Sequence, residues 1–389
     1  MRRTIFTEDH DAFRAMCRDF VAKELAPLYP TFEKQGRVDK EFFAKMGELG
    51  LTGLQVPEEY GGGGQTDTFT YNAILNEETA YAACSLGTLR VHQDLVIPYI
   101  LHYGNEEQKQ RWLPGMAAGT MMTAIAMTEP GTGSDLTGIR TTAKLEGDHY
   151  VLNGAKTFIS GGINADRVLV VARTSPFDPE NRRAGLSILV VDAHSEGFEK
   201  GRNLEKLGIK TQDTAELSFT NVRVPVEDLL GEQDKAFEYL SFNLAQERMT
   251  ISVNAVASTK AAIDLATQYA HERNVFGSPL KNFQNTKFVL AECSTEFEAA
   301  QIMLDRAIEA LDAKELSPAD AARVKLFTTE VQARVTDKCL QIHGGYGYIL
   351  EYPIARLYAD ARVTRIYGGT SEVMKTIIAK DMGLSEKRK

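Results

Sequence analysis

Apolar positions along the chain change their spacing twice. From residue 8 to about 120 they recur every three or four residues, as in "EDHDAFRAMCRDFVAKELAPLY" and "DKEFFAKMGELGL", which predicts helices. The period then shortens. "DHYVLNGAKTFIS", "DRVLVVART", "LSILVVD" and "AELSFTNVRVP" are short, β-rich runs separated by Gly, Asn and Pro. From about residue 234 the longer period returns, with amphipathic helices expected over 234–272, 284–313, 317–343 and 370–381. Helices, then strands, then helices make an α+β chain with segregated layers. The division expected is an N-terminal helical domain over 1–122, an antiparallel middle β-domain over 123–232 and a C-terminal four-helix bundle over 233–389. "GGGG" at 61–64 follows "QVPEEY" rather than a buried strand, and is expected as a flexible surface loop.

The chain has 389 residues, and its formal net charge is −9, from 44 basic and 53 acidic side chains. Nucleic acid and acidic membrane surfaces need a basic face, so neither is an expected partner. No apolar run approaches the ~20 residues that span a bilayer. The N-terminus turns acidic directly after its two arginines, unlike a signal or transit peptide, so the expected location is the cytoplasm, or the chain is a processed one. Cys17, Cys84, Cys293 and Cys339 show neither C-x-x-C nor metal spacing, and seven dispersed histidines argue against a metal site.

Three places concentrate chemistry. "AMTEPGTGSDLTG" (126–138) puts hydroxyls, glycines and acids at a strand-to-loop transition, suited either to a polar planar ligand or to an elaborate turn. "KTFISGG" (156–162) alternates Phe158 and Ser160, which fits ordinary strand alternation or a face packed on a ring system. Leu240, Leu244, Glu247 and Ile251 are spaced by four, three and four, so they share one helical face. That puts the Glu247 carboxylate on an otherwise apolar stripe. Desolvation there raises a carboxyl pKa toward the range of a proton-abstracting base, the alternative being an internal ion pair. Arg248 is poorly placed for such a pair, since it points about 100° away round the helix.

"AMTEPGTGSDLTG", "GGYGYILEYPIARLYADAR" and "IYGGTSE", with "PEEYGG" and "KLGIKTQDTAELSF", resemble the signature regions of the flavin-dependent acyl-CoA dehydrogenases along essentially the whole chain. The resemblance implies FAD, an acyl-CoA substrate, α,β-dehydrogenation to a trans-2-enoyl-CoA, a homotetramer and an electron-transfer flavoprotein as acceptor. It assigns Met127, Thr128, Ser134, Phe158 and Ser160 to the flavin and the bound thioester. Arg273, Phe276, Gln284, Gln341, Gly344 and Gly345 match positions that reach the FAD of a neighbouring subunit. Thr370 and Glu372 match flavin contacts, while Arg248, Tyr367, Gly368 and Gly369 fall beside the substrate. Thr132 departs from the family, which more often has a smaller residue there. Many members carry the catalytic glutamate at the position of Gly368; the long-chain and isovaleryl types have Gly or Ala there and supply the base from the position of Glu247. The resemblance is therefore nearest to the long-chain type, with medium or long straight chains expected. It gives Gly368 the task of offering its backbone N–H to the thioester carbonyl. Alternatives are a branched-chain dehydrogenase, an oxidase or flavin monooxygenase of the same fold, and a silent acyl-CoA-binding protein.

Overall fold

Apolar stripes on successive short helices give the N-terminal part its own core. In the computed structural model, which describes residues 1–384, these are α1 (Glu8–Phe20), α2 (Ala26–Gln35), α3 (Lys40–Glu48), α4 (Thr70–Tyr81), α5 (Ile97–Tyr103) and α6 (Glu106–Ala117). Their start signals are legible: Thr7 and Asn105 each accept from the third residue of the helix they cap, in reciprocal capping boxes. A π-helical segment, Val91–Val96, leads into α5. The four-glycine turn differs from its expected flexibility. The amides of Gly61, Gly62, Gly63 and Gly64 all bond back to carbonyls of Glu58, Pro57, Gly53 and Val56, and a Cβ on Gly62 would strike the Val56 carbonyl at 2.2 Å. Glycine is required there because two backbones touch.

The middle part is one eight-stranded sheet: β1 (Thr123–Ala126), β2 (Thr142–Glu146), β3 (His149–Ser160), β4 (Arg167–Arg173), β5 (Leu186–Asp192), β6 (Phe198–Asn203), β7 (Thr214–Pro225) and β8 (Leu229–Leu230), in the order β6-β7-β3-β2-β4-β5-β8 with β1 on β4. The expectation of an antiparallel domain needs correction. Most pairs are antiparallel, but β1 lies parallel to β4, with Thr123 opposite Arg167, and β2 touches β4 in parallel at Thr142 and Arg173. β1 has four residues, all buried, so it shows no alternation by which its direction could be read.

The C-terminal part holds α7 (Ala236–Glu272), a small hairpin of β9 (Asn274–Val275) and β10 (Ser278–Pro279), then α8 (Gln284–Asp312), α9 (Pro318–His343), α10 (Pro353–Ala361) and α11 (Ser371–Asp381). The four long helices start and stop within two residues of the spans read from periodicity. Their core contains Met249, Val253 and Val256 of α7 with Phe297, Leu304, Val331 and Val335 of α8 and α9. Asp312 at the end of α8 accepts from the Phe69 amide and the Thr68 and Thr70 hydroxyls, which ties the start of α4 to the bundle. Among the described residues no helix is long and apolar enough to cross a membrane.

Candidate active site

α7 is long because its 37 residues contain neither Gly nor Pro. Its first third faces the N-terminal helices, and Glu247 sits there between buried Leu240 and Ile251, with Leu244 partly covered. Next to it, Gln246 donates to the Gln55 side chain (3.0 Å) and to the Asp94 carbonyl of the π-helical segment (3.1 Å). The Asp94 carboxylate is in turn held by Asn72 and Asn76 at 2.7 and 2.9 Å. Glu247 itself is bound by nothing: among the described residues no hydrogen bond or ion pair reaches its carboxylate. Protein atoms crowd it from every side although it keeps a little exposure, and desolvation pushes its carboxyl up to about 7. The charges of Arg248 and Lys325 act in the opposite direction and do not cancel this.

Gly368 lies against that carboxylate. A Cβ built on it would stand 3.5 Å from Glu247 Oε1 and 2.3 Å from Ile251 Cδ1. Gly368 has φ +61° and Gly369 φ +90°, a left-handed pair that side chains rarely adopt. The Gly368 N–H donates to no acceptor among the described residues, so it is a free donor beside the free carboxylate. The turn is braced from its C-terminal side. Thr370 caps α11 by accepting from the Val373 amide (3.3 Å), Ser371 donates to Glu330 (2.8 Å), and Lys325 Nζ donates to the Gly369 carbonyl (2.7 Å). Tyr367 is half-buried just ahead of the glycines. Arg248 is buried; its Nη1 reaches the Pro318 carbonyl at 3.4 Å and its Nε has no partner.

A second group forms where β1 runs out. The Thr157 amide donates to the Thr128 carbonyl (2.9 Å), which brings Met127 and Thr128 beside Phe158 and Ser160. Phe158 is not in ordinary strand alternation. The β3–β7 register shifts between Lys156 and Ile159, Phe158 takes φ +58°, and its ring is 66% exposed. Non-glycine residues at such φ are strained, so the surrounding structure must hold Phe158 in place. Ser160 accepts from Gln212 (2.6 Å), and Arg90, at the edge of the π-helical segment, reaches the same Gln212 at 3.5 Å. The segment therefore links Ser160 to the neighbours of Glu247. The loop after Thr128 is pinned by Glu129, whose carboxylate accepts from the amides of Arg140 (2.7 Å) and Thr141 (2.9 Å) and from buried Lys156 (2.9 Å). Ser134 is exposed on this loop, and Cβ atoms on Gly131 or Gly133 would meet nothing, so open space adjoins it.

The third predicted group stands apart. Arg273, Phe276, Gln284, Gln341, Gly344 and Gly345 all lie exposed at one end of the bundle, where Arg273 stacks 5.9 Å over Tyr346 and Phe276 is 98% exposed. Among the described residues of one chain no hydrogen bond or ring contact joins them to Phe158 or Gly368. Lys325, Glu330, Gln212 and Lys156 were not singled out by sequence reasoning. For Lys325 no such signal existed: Ala321, Thr328 and Gln332, spaced with it by four, three and four, are all buried, but two of the three are polar, so its face does not stand out as the apolar stripe around Glu247 does.

Three family models match end to end: the acyl-CoA dehydrogenase N-terminal domain over residues 7–120, its middle domain over 124–222 and its C-terminal domain over 235–383. The chain belongs to the acyl-CoA dehydrogenase family. It is 43% identical over 380 residues to the mitochondrial long-chain specific acyl-CoA dehydrogenase of Sus scrofa, covering 98% of this chain and 88% of that one. Among solved structures, an acyl-CoA dehydrogenase from Geobacillus kaustophilus superposes with a TM-score of 0.95 at 44% identity, over 98% of this chain and all of the other. An acyl-CoA dehydrogenase complexed with FAD from Bacillus anthracis superposes at 0.89 and 31% identity, over 97% of this chain and 67% of that one. The protein is thus an FAD-dependent oxidoreductase that introduces an α,β double bond into acyl-CoA thioesters. Its surface fits that cofactor: a strained, outward-facing Phe158 ring, Thr128 tied by its carbonyl to the neighbouring Thr157, and open space over Gly131 and Gly133.

Proposed function

We propose that Glu247 is the base that removes the α-proton of a medium- or long-chain, unbranched acyl-CoA, while the Gly368 N–H polarises its thioester carbonyl. The observation that carries this is the contact of the Glu247 carboxylate with the side-chain-free face of Gly368, 3.5 Å from where a Cβ would stand. An α-C–H beside a thioester is too weakly acidic for an unassisted carboxylate; a donor aimed at the oxygen where charge develops lowers that barrier. Glu247 is suited to the other half because burial has brought its basicity close to neutral pH. Arg248 and Tyr367 border the same space and orient the acyl-CoA. Met127, Thr128, Ser134, Phe158, Ser160, Thr370 and Glu372 would hold FAD, which when bound accepts the β-hydrogen as hydride. Support for chain length comes from the long-chain relative, and an electron-transfer flavoprotein is the proposed acceptor.

The sign of the pH dependence follows. Only ionised Glu247 accepts a proton, so anaerobic flavin bleaching by lauroyl-CoA is expected to climb roughly tenfold per pH unit below about 7 and to level off above it. A profile flat from pH 5 to 8 would contradict the assignment. Anaerobic bleaching across acyl-CoAs of graded length and branching tests the substrate: straight chains of medium or greater length should react fastest, and a preference for isovaleryl-CoA would overturn that reading.

The exposed patch around Phe276 supports a homotetramer in which Arg273, Phe276, Gln284, Gln341, Gly344 and Gly345 reach a neighbour's FAD. Large rings left bare on one surface are the mark of an interface. Phe276→Asp is expected to shift the light-scattering mass below that of a tetramer and to release FAD on gel filtration. A yellow tetramer from that variant would remove the proposed role.

A further inference from the structure

α9 runs against both α7 and α11, and the side chain it buries at their junction is a lysine. Lys325 is 0% exposed. Placing an ammonium there is costly unless something specific uses it. No carboxylate lies within ion-pair distance among the described residues, so an internal salt bridge does not account for it. Among the described residues the one hydrogen bond its Nζ makes is to the Gly369 carbonyl, at 2.7 Å. The charged groups facing it are Glu247 and Arg248 from α7, Glu330 from its own helix and Glu372 from the start of α11.

The recipient of that bond matters. Gly368 and Gly369 carry no side chains, both have positive φ, and neither amide has a protein acceptor among the described residues. A turn of this kind has many conformations open to it. The Lys325 bond, with the Thr370 cap and the Ser371–Glu330 bond behind it, restricts them. The same ammonium places a positive charge near a carboxylate that has no partner of its own among the described residues.

We propose that Lys325 is a positioning residue for proton abstraction: it clamps the double-glycine turn through the Gly369 carbonyl so that the Gly368 N–H stays aimed, and its charge favours the ionised form of Glu247. This rests on the reading of Glu247 as base. Burial draws Lys325 down to about 8, which still leaves it largely protonated where Glu247, at about 7, titrates. Arg248 also supplies positive charge to Glu247, so loss of Lys325 weakens the effect without abolishing it.

The test uses FAD-loaded holoenzyme, stopped-flow anaerobic bleaching by lauroyl-CoA between pH 5 and 9, and four proteins: wild type, Lys325→Met, Lys325→Arg and Glu247→Gln. Lys325→Met keeps the length and loses the charge and the donor. Its limiting bleaching rate at pH 7 is expected to fall roughly tenfold or more, as misaligned reactants do. The acidic limb is expected to move up by about one pH unit, as on removal of a nearby opposite charge. The half-saturating substrate concentration should change little, and Lys325→Arg should bring the limb back toward wild type. A Lys325→Met enzyme with the wild-type rate and limb overturns the proposal, as does a limb displaced equally in Lys325→Arg. Where Lys325→Met does not retain FAD, Lys325→Gln, which removes the charge but keeps a donor, decides: an unmoved limb overturns the electrostatic role. If Glu247→Gln bleaches normally, the base reading fails; if it is inert while Lys325→Met is normal, only the lysine's role fails.

Discussion

Glu247→Gln should give a yellow, folded enzyme that binds acyl-CoA and no longer bleaches its flavin when oxygen is absent. The substitution keeps shape and removes the charge and the basic oxygen that takes the α-proton, so FAD retention and ligand affinity are expected to stay near wild type. A positioned base contributes about 10²–10⁴-fold, which sets the loss in bleaching rate. Stability should move the other way. The Glu247 carboxyl is raised from 4.5 to about 7 in the fold, so the folded state holds a proton that the unfolded chain releases across that window. Stability contributed by this site therefore falls as pH rises from 4.5 to 7, and above 7 the ionised carboxylate is a burden that glutamine lacks. At pH 8 the variant's melting temperature is expected to equal or exceed that of wild type. A variant that bleaches at the wild-type rate, or one that melts far earlier, would remove Glu247 from the role.

Gly368→Val should abolish the same reaction by a different route. The Cβ would stand 2.3 Å from Ile251 Cδ1, and Ile251 is buried on the face that carries Glu247, so it gives way only by pushing into the site. Backbone geometry adds to this. At φ +61° a β-branched residue is strained, and strain of this kind with overpacking costs about 2–5 kcal/mol. The branched side chain would also fill the 3.5 Å separating that point from Glu247 Oε1, the space that the proposed mechanism gives to the substrate's α-carbon. Denaturant unfolding should show the lowered midpoint, and bleaching by lauroyl-CoA should drop at least 10²-fold. Gly368→Ala should fall between the two. A valine variant with wild-type bleaching would mean that the substrate approaches Glu247 from elsewhere.

Both predictions join residues about 120 positions apart, and only one half of that pairing was legible in the chain. The stripe Leu240, Leu244, Glu247, Ile251 identified a carboxylate on an apolar face because a helix repeats every 3.6 residues and needs no partner to do so. The same periodicity gave the extents of α7, α8, α9 and α11, whose ends carry Lys, Asp, Ser and Gly signals nearby. The sheet was less open to such reading. β4 and β5 stand out as apolar runs, but the parallel seating of β1 on β4 depends on pairing between distant segments, which no local pattern encodes. The bulge that turns Phe158 outward was hidden for a related reason: an extra residue in β3 has meaning only against the register of β7.

Sequence by itself determined the order of layers, the family, the cofactor and the identity of the candidate base, because each depends on residue type at short range or on long ordered motifs. Tertiary structure decided what those residues are worth to one another. It placed Gly368 against Glu247, left the carboxylate without a partner among the described residues, brought Gln212 under Ser160 and set Lys325 on the Gly369 carbonyl. These are contacts between elements whose packing depends on the whole core, and desolvation, which tunes Glu247 to about 7, exists only once that packing has closed around it.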